Sequence, residues 1–447
     1  MGPDSTGLGD PNPFLIDVKV TFTGPSGQIL ILPAFYDGDG NGGMDGNIWK
    51  ARFAPDTPGS WTYITTSSNT LLNGQTGAFE VISPANCQAY APGGLPDFTC
   101  LGRLEYDGTH YLKFSSGDHW IKGGIDDPEN FLGSAFGDWN AKKLAIDNLA
   151  SKGVNSIYLV LNNISGDYND TWAWVGNTTS DAIANSNRFN VAKLLLWEDF
   201  FTYVQEKGIV LHMILDDDSA WDGYDHTLYY REMVARFSHH PGIIWNIGEE
   251  ADEIYSDEEQ VTYATMIRSL DAYDHPVTVH RNPTWPFLGN SSFDLTSIQP
   301  INGALDFSIA DLGDLNALVI SHRDLSVSAG RPVPIMIDEL PRVTVVDETA
   351  KLKMRAKVLY PIFLGGGSHE IHYEDIYGQG GSVSIETLEP MLLDMQRARQ
   401  FMEKLPFSQM IPCNQMLSPA GNLCSGKTGE VYAISSRRWL DQYGSYG

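Results

Sequence analysis

The run HHPGIIWNIGEEAD, residues 239–252, decides how the rest of the chain reads. Ile243-Ile244-Trp245 is the apolar text of a buried strand, and it stops at two adjacent carboxylates, Glu249 and Glu250. Upstream lies REMVARF, a helical pattern, and downstream YATMIRSLDAY leads into PVTVH. Helix, apolar strand and polar end repeat in both directions. AKKLAIDNLASKG leads through Gly153 into VNSIYLVL. VAKLLLWEDFFTYVQEKG puts Val191, Leu194, Trp197, Phe201 and Val204 on one helical face and leads through Gly208 into IVLHMIL. LTSIQ follows, then LNALVISHRDL into PIMIDEL, and KMRAKVLYPIFL into SHEIHYE. With HWIKGG as the first strand, eight strands with helices between them occupy about 290 residues and predict a (β/α)8 barrel over 117–410. A doubly wound sheet is the alternative, but no Gly-rich phosphate turn supports it.

Residues 1–85 are different. FLIDVKVTF, GQILILPAFY, IWKARFAP, GSWTYITTSS and GAFEVIS are short β-rich runs separated by Gly, Pro, Asp and Asn, which predicts an immunoglobulin-like β-sandwich. A Pro/Gly-rich linker and an Asp-Gly hairpin fill 86–116. Strand-like text resumes over 411–447 as a short β segment, either an incomplete sandwich or a strand or two packed on the rest. The chain has 447 residues and a formal net charge of −27, a field that repels nucleic acid and anionic membranes. It leaves open a sulfated or uronic polymer held in a locally basic groove. No apolar run is long enough to span a bilayer.

Active-site residues of such a barrel lie where its strands end. Here the strands end in Asn162-Asn163, Asp216-Asp217-Asp218, Glu249-Glu250, His280-Arg281-Asn282, Gln299, Asp338-Glu339 and Tyr373-Glu374-Asp375. Any one of these fits an ordinary solvated loop start; a whole rim of carboxylates, amides and aromatics fits a sugar. Two carboxylates on different strands can divide glycoside cleavage between a proton donor and a nucleophile or base. Glu250 ends strand four and Glu339 ends strand seven. Asn163, Asp216, Glu249, His280, Gln299 and Tyr373 are candidate substrate contacts. Trp172 and Trp174 read equally as sugar-stacking rings or as loop core.

WNIGEE resembles the end of strand four in retaining barrel glycosidases of clan A, where the motif commonly reads Trp-x-x-Gly-Asn-Glu. PIMIDEL resembles that clan's strand seven. The resemblance matches Trp245 and Gly248, places Glu250 on the acid/base and Glu339 on the nucleophile. It puts Glu249 where the clan has an asparagine that touches the sugar 2-hydroxyl. NPFLIDVKVTFTGPSG, FYDGDG and WKARFAPDTPGSWTY are similar to an N-terminal sandwich of unassigned function that precedes an apiosidase-like barrel in bacterial candidate polysaccharide hydrolases. KGGIDDPENFL, RFSHHPGIIWNIGEE and the late LPF segment resemble the same group. NLCSGKTGEVYAI resembles the opening of its small C-terminal sandwich. The resemblance implies a retaining hydrolase of a poly- or oligosaccharide, with no cofactor and no metal.

Other motifs carry less. DGDGNGGMDG (37–46) mimics a calcium loop, but Ile48 stands where a bidentate glutamate is required, so it reads as a glycine-rich hairpin. His239-His240 precede a strand at the wrong barrel end for catalysis. Cys87 with Cys100 and Cys413 with Cys424 are close pairs, read as disulfides of a secreted or periplasmic protein, with reduced thiols as the alternative. Two further functions stay open: a catalytically idle carbohydrate-binding barrel, and a polysaccharide lyase using a Tyr or His base with a neutralising arginine, for which His280 and Arg281 are available.

Overall fold

The computed structural model describes residues 1–84, 88–90, 94–126, 131–134, 136–166, 169–301, 306–373, 384–418 and 421–436. Eight parallel strands form the predicted barrel. They are Gly123–Asp126, Ser156–Val160, Val210–Ile214, Ile243–Asn246, the fifth as Val277–Thr278 plus His280–Arg281, then Ser297–Ile298, Met336–Ile337 and Ser368–His372. The two halves of the fifth strand do different work: Val277 pairs back to strand four, and His280 pairs forward to strand six. Strand one pairs with strand eight from Gly123↔His369 to Asp126↔His372, and so the ring closes. Helices lie between most strands, the longest of them Val191–Glu206, capped by the Asn190 side chain and followed by Gly208 at φ 76°. Its predicted face is buried throughout, from Val191 to Val204. No described helix is long and apolar enough to cross a membrane.

Only the last two residues of HWIKGG belong to the first barrel strand. His119–Trp120 instead closes a small antiparallel sheet with Leu104–Glu105 and Leu112–Phe114, and the barrel begins at Gly123. The reason is where the rings go. Phe98, Leu101, Leu104, Phe114 and Trp120 pack against Val210, Ile244, Leu295 and Met336, the inward residues near the strand starts. This sheet plugs the barrel floor, and the expected linker contributes the short helix Phe98–Leu101 to it.

Ahead of the barrel, antiparallel strands run Ile29–Pro33, Val18–Thr23, Gly59–Ser67, Thr76–Val81 across one sheet. A second small layer pairs Phe35–Tyr36 with Trp49–Lys50. The layers enclose Val18, Val20, Phe22, Leu32 and Trp61. Arg236, fully buried on a barrel helix, joins the two units: it donates to Tyr36 O at 2.8 Å and pairs with Asp37 at 3.2 Å. Asp37 also pairs with Lys50 at 2.6 Å, while Asp39 accepts the N–H groups of Asn41 and Gly43. The calcium-like loop is thus a hairpin whose first carboxylate is already neutralised. After the barrel, Ile411–Pro412, Leu423–Lys427 and Val431–Ser435 form a three-stranded sheet. Cys413 and Cys424 are bridged there, with Cα atoms 4.8 Å apart. Cys87, and with it the other expected pair, lies outside the described residues, as do Glu374 and Asp375.

Candidate active site

Period-two alternation aims one set of each strand's residues into the barrel. At the upper, C-terminal end this set includes Asp126, Tyr158, Asp216, His280, Gln299 and His372, and the carboxylates of Glu249, Glu250 and Glu339 join them from the loop starts.

Glu250 follows the strand at φ 33°, in the left-handed region that non-glycine residues seldom occupy. Its neighbours hold it there: Ala251 N–H bonds His280 O at 3.1 Å, and Glu253 N–H bonds Glu250 O at 2.8 Å. Strain of this kind gathers at functional sites. The Glu250 carboxyl accepts from Asn282 Nδ2 at 2.6 Å and from the Gln299 amide. Burial lifts it above the ordinary glutamate range, those two bonds oppose the lift, and Glu253 and Asp252 add to it. Glu249 and Glu339 are not among the main causes of the lift.

Glu339 is bonded by Gln299 Nε2, has His372 Nδ1 at 3.4 Å, and has His280 Nε2 at 3.9 Å. His280 is fully buried, and burial above all, with His212, Lys122 and His372 adding, holds it down to about 3, so its ring is neutral. The Glu250 N–H donates to His280 Nδ1 at 3.2 Å. A backbone N–H can only donate, so the imidazole proton sits on Nε2, facing Glu339. Glu249 lies on the other side, 3.9 Å from His280 Nδ1, and its N–H bonds Asp216 O at 2.9 Å.

Glu249, Glu250, His280, Gln299 and Glu339 thus come together. Asp216 does not reach the mouth as a ligand group. It is fully buried, accepts from Tyr224 at 2.6 and 2.7 Å, Tyr255 at 3.1 Å and Asn162 at 2.8 Å, and is raised to about 6 by that burial. It braces the loop that carries Glu249. Trp174 is loop core, fully buried against Trp221, Tyr224 and Tyr229. Trp172 is also largely buried, with Lys193 Nζ 4.6 Å over its ring. The Asn163 carbonyl caps the N–H groups of Asp170 and Thr171. These side chains are spent on building the long loop after strand two, because a loop that size needs a core of its own. Tyr373 is buried and bonds Asp126 O through its backbone. The arginine a lyase would want, Arg281, is bound to Asp257 at 2.9 Å and Gln260 at 3.1 Å. His239 and His240 pair with Glu198 at 3.0 and 3.3 Å, ahead of strand four and not at its C-terminal end.

Asn282 and His372 were not among the expected contacts. The signal was present in HRN and SHEIHY, where alternate residues after a buried start are polar.

Comparison with known proteins follows the same division. Residues 4–68 match a domain of unknown function, DUF5060. No curated protein sequence matches the chain. A candidate glycoside hydrolase of Bacteroides vulgatus superposes with a TM-score of 0.71 at 18% identity, covering 96% of this chain and 81% of that one. A glycoside hydrolase of family 5 from the same organism gives 0.55 at 14% identity over 76% and 80%. A family 5 mannosidase of Rhizomucor miehei gives 0.52 at 12% identity, covering 68% of this chain and 99% of that one. At these identities the likeness is one of fold: a parallel barrel behind an N-terminal antiparallel unit.

Proposed function

We propose that the protein is a retaining glycoside hydrolase of poly- or oligosaccharides, with Glu250 as acid/base and Glu339 as nucleophile. The observation that carries this is the convergence of two strand-end glutamates on one polar cluster: Glu339 bonds Gln299 and lies beside the His280 ring, and the Glu250 N–H bonds that same ring. Direct attack by a carboxylate calls for carboxyl groups about 5–5.5 Å apart, whereas an inverting pair needs about 6.5–9.5 Å to admit a water.

The environments divide the roles. Glu250, lifted by burial, keeps a proton for the leaving oxygen. Glu339, bonded by the Gln299 amide, is the carboxylate assigned to attack the anomeric carbon. Attack forms an ester to Glu339 and moves the Glu250 proton to the departing alcohol. Glu250, now ionised, takes a proton from water as that water displaces the ester, and two inversions give net retention. The structural neighbours' descriptions as glycoside hydrolases support the same class. The bridged Cys413–Cys424 pair supports a secreted or periplasmic setting. Proton NMR of the first product formed from an aryl glycoside tests the proposal: the retained anomer is expected, and the inverted anomer refutes it.

A further inference from the structure

The layer of the barrel directly beneath the carboxylates is not aliphatic. Lys122, Ser156, His212, Asn246, Asp338 and Glu370 are fully buried there. Gly124 makes the room, since a Cβ on it would come within 2.6 Å of Glu370 Oε1.

The direction of each bond follows from the backbone. Asn246 Oδ1 accepts the N–H groups of Gly248 at 3.3 Å and His280 at 3.1 Å, which fixes the amide orientation. Its Nδ2 therefore donates to His212 Nε2 at 3.1 Å. A neutral His212 then carries its proton on Nδ1, which lies 3.2 Å from Glu370 Oε2 and 3.1 Å from Lys122 Nζ. Glu370 also accepts from Ser156 Oγ at 2.8 Å and from Lys122 Nζ at 2.8 Å, and Lys122 reaches Asp338 at 2.9 Å. Asp338 adjoins Glu339 in the chain. Gly248 and His280 hold the turn of Glu250, whose N–H is bonded to the His280 ring.

We infer that Asn246, His212, Glu370 and Lys122 form a positioning relay that holds the acid/base loop of strand four in register with the nucleophile of strand seven. The inference rests on the glycosidase reading above. None of these side chains reaches the substrate side of the carboxylates; they act through the backbone of Gly248, His280 and Asp338. Loss of the relay should misplace Glu250 without removing it, and small misplacements are expensive in rate while leaving ground-state binding intact.

Asn246→Ala tests this on aryl glycosides of good and poor leaving groups. The expected result is a kcat lower by about 10- to 100-fold with KM changed by less than about twofold. The loss should be larger for the poor leaving group, because proton donation by Glu250 is what drifts. Asn246→Asp keeps the shape and sets an acceptor against His212 Nε2; it should lower kcat in the same sense and serves if the alanine variant fails to fold. Gln205→Ala is the control. Gln205 brackets strands three and four at their opposite ends, donating to Ile209 O at 2.9 Å and accepting from Gly242 N at 2.9 Å. It should lower the unfolding midpoint with kcat unchanged. A kcat loss independent of leaving group, or one matched by Gln205→Ala, overturns the relay while the glycosidase reading stands. A wild-type protein that cleaves none of the glycosides removes the glycosidase reading, and the relay with it.

Discussion

Replacing Lys122 by methionine should be among the most damaging single changes in the barrel, and by an amount that depends on pH. The ammonium lies 2.9 Å from Asp338 and 2.8 Å from Glu370, and all three side chains are fully buried. At an effective dielectric of about 20, each such pair is worth about 6 kcal/mol of Coulomb attraction, which offsets the cost of drying three charges. Removing one partner leaves the others uncompensated, at about 3–5 kcal/mol near pH 7. Burial raises both Asp338 and Glu370 above their ordinary values. A carboxyl raised by folding costs stability once pH exceeds its unfolded value and ceases to cost it as pH falls. Without Lys122 both are raised further, so the deficit of the variant should shrink between pH 7 and pH 5 as they take up protons. Denaturant unfolding followed by tryptophan fluorescence measures this directly, since Trp120 and Trp245 are buried against the barrel. A loss under about 1 kcal/mol, or a deficit equal at both pH values, would refute the reasoning.

Two further changes probe the carboxylates. Glu250→Gln should abolish cleavage of glycosides with poor leaving groups while sparing much of the first step on activated ones, whereas Glu249→Gln should retain activity on both; the opposite pattern in steady-state rates would shift the acid/base by one residue. Asn282→Ala removes a 2.6 Å bond that favours ionised Glu250, so the alkaline limb of the rate–pH profile should move to higher pH, and a limb that stays in place or moves down contradicts the assignment.

Much of the fold was legible because it depends on local periodicity. Apolar runs alternating with amphipathic helices specify a parallel barrel wherever they occur eight times, and polar residues at each run's end mark its working face. The start of the first strand was misplaced for the same reason: HWI reads as strand text, and only the packing of Trp120 into the floor assigns it elsewhere. The positions of Glu250 and Glu339 could be read from IIWNIGEE and PIMIDEL because each glutamate ends a strand, and strand ends on one face of a barrel must converge.

What converges with them could not be read that way. Trp174, in the loop after strand two, fills a loop core, and Asp216, just after strand three, braces a turn, because each found partners distant in sequence. The tautomer of His280, the Gln299 amide on Glu339, and the buried Lys122 beneath them are properties of side chains meeting across the barrel. The sequence by itself specified most of the barrel strands, their order and the residues that end them. Which side chains surround each strand-end carboxylate was decided only by closure of the ring, since a carboxyl's pKa is set by burial and by groups a few ångströms away, whatever their separation along the chain.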